Sequence, residues 1–237
     1  MSIEVEQRDH LLLMGACRAQ KMNALNKDMY HSLARALHRL EHDPELWVGV
    51  IWAEGPHFTS GVDLSDWAEA FASGSPFPVA EDEIDPFAMS GPRLSKPLVI
   101  AVQGRCYTWG WELLLNTDLR VAATDTRFAM LEVRRGFYAC GGATLRLPTE
   151  IGWANAQRYL LTGDELGAEE AYRHGLVQQL CAPGEQLDAA IALAQRVAKA
   201  APLGVQGSLR SSRLRMLEGE AAAIGPMFRG MAEVMRS

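Results

Sequence analysis

No stretch of this 237-residue chain approaches the roughly 20 apolar residues needed to cross a bilayer. Its first residues, MSIEVEQRDH, lack the basic region and apolar core of a secretory leader. A cytoplasmic protein without a membrane partner is expected. Cysteine is scarce: Cys17, Cys106, Cys140 and Cys181 are widely spaced and form no CxxC pair. That spacing offers neither a disulfide framework nor a zinc template, and reduced thiols are expected. Basic charge is short as well, with 23 Lys and Arg against 29 Asp and Glu and a net charge of -6. No basic cluster is interleaved with aromatics, so a nucleic-acid partner is excluded, although scattered basic residues can still hold a phosphorylated small molecule. Internal repeats and low-complexity tracts are missing too.

What is present is an ordinary globular balance, 48% hydrophobic and 22% charged. The length suits one domain, or one domain with a small appendage. Ile3 and Val5 alternate and residues 11–14 are apolar, which predicts a hairpin. In LNKDMYHSLARALHRLEHD the period changes: Met29, Leu33, Ala36, Leu37 and Leu40 share one helical face, with Asn26 as N-cap. WVGVIWA (47–53) reads as a buried strand running into the loop EGPHFTSGVDLSDW. Residues 72–91, rich in proline and acids, read as a lid or as a plain solvated loop. KPLVIAVQG is a second buried strand, and DLRVAATDTRFAM holds one or two short ones. RRGFYACGGATLRLP is a glycine-bearing loop entering a helix. Helices follow at 152–162, 165–174, 185–200 and from about 202 to the end, with one strand in GLVQQL. Strand, strand, helix thus repeats through the first two thirds.

Two loops share a design: each follows a buried strand, contains glycine and precedes a helix. Backbone N–H groups at a helix start lack intrahelical acceptors and sit at the positive end of the dipole. Two such groups converging from different loops make an oxyanion hole; two ordinary strand-to-helix turns would read the same way. Glu112 in WELLLN and Glu132 in FAMLEVRRG have apolar neighbours. Either is a terminal charge or ion-pair partner, or the two face each other as an acid–base pair with at least one pKa raised by burial and repulsion.

Four segments in order resemble the crotonase family, the enoyl-CoA hydratase/isomerase superfamily. QKMNALN resembles its K-x-L-N-A-L segment, and HFTSGVDL its F-x-A-G-A-D-[IL] loop. KPLVIAVQGRCYTWGWELLLNTDLRVAATDTRFAMLEVRRG follows the long signature that carries G-G-G-x-E-L and F-x-x-P-E-x-x-x-G. LLTGDELGAEEAYRHGLVQQL follows the L-T-G-x-x-x-x-A-x-E-A segment. The resemblance implies an α/β crotonase-type ββα spiral (1–185) with a C-terminal helical trimerisation region (186–237), assembled as a homotrimer or hexamer. It implies hydration of a trans-2-enoyl-CoA. The amides of Val62 and Trp109 would polarise the thioester carbonyl. Glu132 would act as the acid toward C2, and Glu112 would orient and activate water. Lys21, Ser60, Gly61, Leu64, Gly110 and Gly141 would contact substrate or its coenzyme A part. No metal or separate cofactor is implied, because coenzyme A belongs to the substrate. A double-bond isomerase on the same fold and a non-catalytic acyl-CoA binder are the alternatives.

The sequence departs from that pattern in three places. The family's G-G-G is here Thr108-Trp109-Gly110. The Trp109 indole must therefore point away from the carbonyl site, narrow the acyl pocket or simply pack in the core, and Trp111 has the same core reading. P-G-x-G-G becomes Ala139-Cys140-Gly141-Gly142-Ala143, and Cys140 has no evident base to make it a nucleophile. After MAEVMRS the family's S-x-D-x-x-E-G-x-x-A-F segment and final helix do not follow.

Overall fold

The computed structural model describes residues 3–74 and 77–236. The hairpin is there: β1 (Ile3–Arg8) pairs antiparallel with β2 (Leu11–Ala16) across a turn in which Asp9 takes a φ of 50°. A 3-10 turn (Ala19–Lys21) leads to α1 (Lys27–His42), whose Asn26 side chain accepts from the Met29 N–H at 3.0 Å. That bond satisfies one of the donors a helix start leaves free. β3 (Val48–Ala53), α2 (Leu64–Ser73), β4 (Leu98–Val102), β5 (Arg105–Tyr107), α3 (Trp109–Leu114), β6 (Leu119–Ala123) and β7 (Arg127–Ala129) follow. Past a 3-10 turn at Glu132–Arg135 come α4 (Ala143–Ile151), α5 (Trp153–Thr162), β8 (Leu166–Gly167), α6 (Ala168–Arg173) and β9 (Gln179–Cys181). Three helices close the chain: α7 (Gln186–Ala198), α8 (Pro202–Glu218) and α9 (Glu220–Val234).

The main sheet runs β1-β2-β3-β4-β6-β9, parallel from β2 onward. Parallel strands are covered on both faces and so read as continuous apolar runs. Leu12, Met14, Ile100 and Val102 face the cluster that holds Met29, Leu33, Leu37 and Leu40 of α1. Their neighbours Leu11, Leu13, Val99 and Ala101 face Ala190 and Ala194 of α7. A second, smaller sheet, β5-β7-β8, lies inside the spiral and is extended by a parallel bridge from Thr59 to Cys106. Each turn of the spiral is thus an outer strand, an inner strand and a helix or helical turn.

Two expectations need correction. The single helix expected from about 202 onward is two, because Gly219 takes a φ of 90° and breaks it. The segment 77–90 is no plain solvated loop: Glu83, Ile84, Asp85 and Phe87 are buried. Glu83 meets His31 at 2.9 Å and Arg35 at 3.0 Å, and Asp85 accepts from the N–H groups of Phe87, Met89 and Ser90. Residues 75 and 76 of that stretch lie outside the described residues. Among the described residues no helix is long and apolar enough to cross a membrane.

Candidate active site

The inner sheet sets the site by register. Thr59 pairs with Cys106, and Cys106 pairs with Phe128, so three successive turns of the spiral are level at these residues. Three positions further along each turn stand Val62, Trp109 and Leu131, and all three line one pocket of about 30 Å³. Glu132 comes next on the third turn and lines the same pocket. Glu112 stands in the first turn of α3, one helical turn beyond Trp109. The two glycine-bearing junctions are in direct contact, since a Cβ built on Gly61 (φ 114°) would collide with the Thr108 hydroxyl.

The backbone N–H of Trp109 opens α3 and has no intrahelical acceptor. The bridge between Leu25 and Val62 uses the Gly61 carbonyl and the Asp63 N–H, and leaves the Val62 N–H unused. Neither amide finds an acceptor among the described residues. Both line the pocket that Glu132 lines.

Both carboxyls are buried, Glu112 completely and Glu132 to 5% exposure. Burial pushes Glu112 up to about 8. The N–H groups of Ala143 and Gly141 oppose that shift, and the Glu132 charge adds to it. Burial likewise pushes Glu132 up to about 7, with Arg135 opposing. One oxygen of each, Oε2, has no hydrogen-bond partner, whereas Glu112 Oε1 accepts from the Ala143 N–H at 3.1 Å. A buried polar atom without a partner costs on the order of 1–3 kcal/mol. Two of them here, on groups drawn toward neutrality, equip the pair to hold, give and take a proton. Gly141 is needed because a Cβ there would lie 2.7 Å from Glu112 Oε2.

Of the other residues singled out in the sequence, Ser60 and Leu64 line the pocket. Lys21 is exposed on the turn before α1 and does not line it. Gly110 does not line it either: it lets α3 close on Thr59 and Phe58, where a Cβ would clash. Trp111 packs on Phe128 and Tyr159 in the core. Cys140 lines the pocket from an exposed position, and the partial burial of its thiol with the charges of both glutamates raises it to about 11, which disfavours the thiolate. Phe71, Arg135, Phe137 and Tyr138 also line the pocket and went unnoticed in the sequence. The only hint was that the last three directly follow Glu132. Thr108 was noticed in the sequence only as a departure from the G-G-G pattern. It holds a φ of 49° and a ψ of -113°, and its buried hydroxyl has no partner.

This chain belongs to the enoyl-CoA hydratase/isomerase family, whose model matches residues 6–217. It is 34% identical over 214 residues to the enoyl-CoA hydratase EchA19 of Mycobacterium tuberculosis, covering 88% of this chain and 79% of that protein. To the (E)-benzylidenesuccinyl-CoA hydratase of Thauera aromatica it is 31% identical over 221 residues, 90% of this chain and 83% of the relative. Among solved structures, a probable enoyl-CoA hydratase/isomerase from Mycobacterium abscessus superposes with a TM-score of 0.96 at 42% identity. That match covers 100% of this chain and 91% of the other.

Proposed function

We propose that this chain hydrates the 2,3 double bond of a trans-2-enoyl-CoA thioester. The observation that carries the reading is the pair Glu112 and Glu132, both buried and both raised toward neutrality, beside two unused amides. The thioester oxygen accepts from the N–H groups of Val62 and Trp109, which draws electron density from C3. Such fixed donors are worth on the order of 10²–10³ in rate each. A water held between the carboxyls gives its hydroxyl to C3, and a proton reaches C2, so the pair ends the cycle with the protons it began with. The resemblance assigns delivery to Glu132, whereas burial favours the proton on Glu112. The pair titrates as a unit, and its apparent pKa values belong to both. Ser60 and Leu64 hold the pantetheine arm, and Lys21, further out, holds the nucleotide end. Two relatives named as hydratases support the reading. A homotrimer or hexamer is part of it, with the exposed apolar residues Met227, Phe228 and Met231 of α9 as contact surface.

The test is loss of the conjugated-enoyl absorbance on a panel of enoyl-CoA thioesters, with products identified by mass. The expected product gains one water. A shifted double bond without mass gain would mean isomerisation. Tight binding without turnover, indifferent to Glu132→Gln, would mean a binder.

A further inference from the structure

We propose that the Trp109 indole is a fixed wall closing the acyl end of the catalytic pocket, which restricts this chain to short enoyl groups. The inference rests on the hydratase reading and names its substrate class. Two cavities meet at this residue. One is the pocket of about 30 Å³ lined by Val62, Thr108 and Glu132. The other, about 40 Å³, is lined by Met14, Met29, Leu33, Phe58 and Leu113, on β2, α1, α3 and the loop after β3. Among the described residues, Trp109 alone lines both.

Trp109 is 3% exposed, and rings from α1, α2 and the segment after α2 flank its indole. Phe77 lies 4.7 Å and Phe87 4.9 Å away on the segment after α2. Trp67 on α2 is at 5.1 Å, with Phe71 at 6.1 Å and Tyr30 of α1 at 6.5 Å. Three of these contacts, to Phe77, Trp67 and Phe71, are edge-to-face, a geometry aromatic pairs prefer. A side chain so enclosed does not swing aside, so it acts as a wall rather than a gate. An acyl group whose carbonyl is held at the Trp109 amide cannot extend past the indole of the same residue. Behind the wall the lining is almost wholly apolar, and Thr59, its chief hydroxyl, already donates to the Asn23 carbonyl at 2.7 Å. That space suits an alkyl chain, and the indole keeps the chain out. Substitution at 109 keeps the backbone N–H, and the ratio between chain lengths is read within each variant, so a change in the grip of that amide divides out.

The experiment compares wild type with Trp109→Phe, Trp109→Leu and Trp109→Ala. It measures kcat/KM on crotonyl-, hexenoyl-, octenoyl- and decenoyl-CoA, and the dissociation constants of the matching saturated acyl-CoAs. Each methylene that a pocket cannot house costs about tenfold or more. Wild type is expected to fall steeply from crotonyl- to decenoyl-CoA. The decenoyl-to-crotonyl ratio is expected to rise from Phe to Leu to Ala, by tenfold or more at the end of the series. Should Trp109→Ala fail to fold, Phe and Leu decide. An unchanged profile in Phe and Leu, or a wild type that already favours decenoyl-CoA, overturns the proposal. A wild type inert on every enoyl-CoA sinks the hydratase reading instead. The wall is then judged on binding: decanoyl-CoA held more tightly by Trp109→Leu than by wild type supports it, and equal binding overturns it.

Discussion

From Trp109 to Leu114 every residue of α3 is buried, yet Glu112 within it and Thr108 and Glu132 beside it each keep a side-chain oxygen without a partner. In α8 no residue is buried, and in α9 only Ala223 and Gly230 are, while Met216, Leu217, Phe228 and Met231 stand in the open. The first region puts unsatisfied polar atoms inside; the second puts large apolar side chains outside. Folding alone favours neither, because buried polar groups are normally paired and broad apolar patches normally covered. The contrast teaches that a chain relaxes these two rules in different places for different partners. A polar interior with open valences suits reactants, and an apolar exterior suits another protein surface.

The strongest blow to the polar half of that contrast removes its charges. Glu112→Gln and Glu132→Gln are each expected to lower kcat by on the order of 10²–10⁴. The double variant should cost little more than the worse single, since the two act as a unit. Steady-state hydration rates check this, and losses that multiply would mean two independent groups.

A smaller effect is read in stability against pH. Glu112 sits near 8 in the folded chain against an ordinary 4.5. Between those values the unfolded chain releases its proton and the folded chain does not, so folding is progressively opposed as pH rises. Glu112→Gln removes that opposition. Relative to wild type, the variant should gain on the order of a few kcal/mol between about pH 5 and about pH 8.5. Urea denaturation at several pH values measures the gap. A gap independent of pH would place the carboxyl in contact with solvent. Glu132, raised to about 7, gives the same sign over a narrower window.

Much of the frame was legible because it is local. The apolar face of α1, its Asn26 cap and the continuous apolar runs of β3 and β4 are all written in neighbouring residues. The two glutamates were legible through the resemblance. The level alignment of Val62, Trp109 and Leu131 was not, because it depends on parallel bridges between residues far apart in sequence. Nor was the direction of the Trp109 indole, which five aromatic rings from α1, α2 and the segment after α2 decide. The break at Gly219 was hidden, since helix-forming residues continue on both sides. Ile84 and Phe87 looked like loop residues until Glu83 met His31 and Arg35.

The apolar half of the contrast is probed where the C-terminal helices are tied to the spiral. Arg213 of α8 reaches the Asp118 carboxylate at 2.8 Å and the Leu94 carbonyl. Asp118 in turn accepts from the Leu98 N–H at 2.9 Å, at the start of β4. Hydrogen bonds to charged groups contribute about 1.5–3 kcal/mol. Arg213→Ala should lower stability by about that much and speed proteolysis between α7 and α8, while crotonyl-CoA turnover per folded protomer changes little. Unchanged protease sensitivity would mean that packing, not this tie, docks the helices.

The smallest expected effect lies at Thr108 and tests whether the polar irregularity is strain. A β-branched residue at φ 49° and ψ -113° is far from its allowed regions. Such a conformation costs on the order of 1–3 kcal/mol, and the buried hydroxyl without a partner adds to it. Glycine relieves both but gives the unfolded chain more freedom, a loss of roughly 0.5–1 kcal/mol. Thr108→Gly should therefore stabilise the fold by about 1 kcal/mol, the difference between these opposing effects. Turnover should move the other way, because the amide of Trp109 next to it gains freedom and grips the thioester oxygen less well. Thermal melting and kcat/KM on crotonyl-CoA, measured on the same preparation, check both signs. A variant that melts lower would mean the hydroxyl finds a partner in solution, leaving Glu112 and Glu132 as the unpaired oxygens of the site.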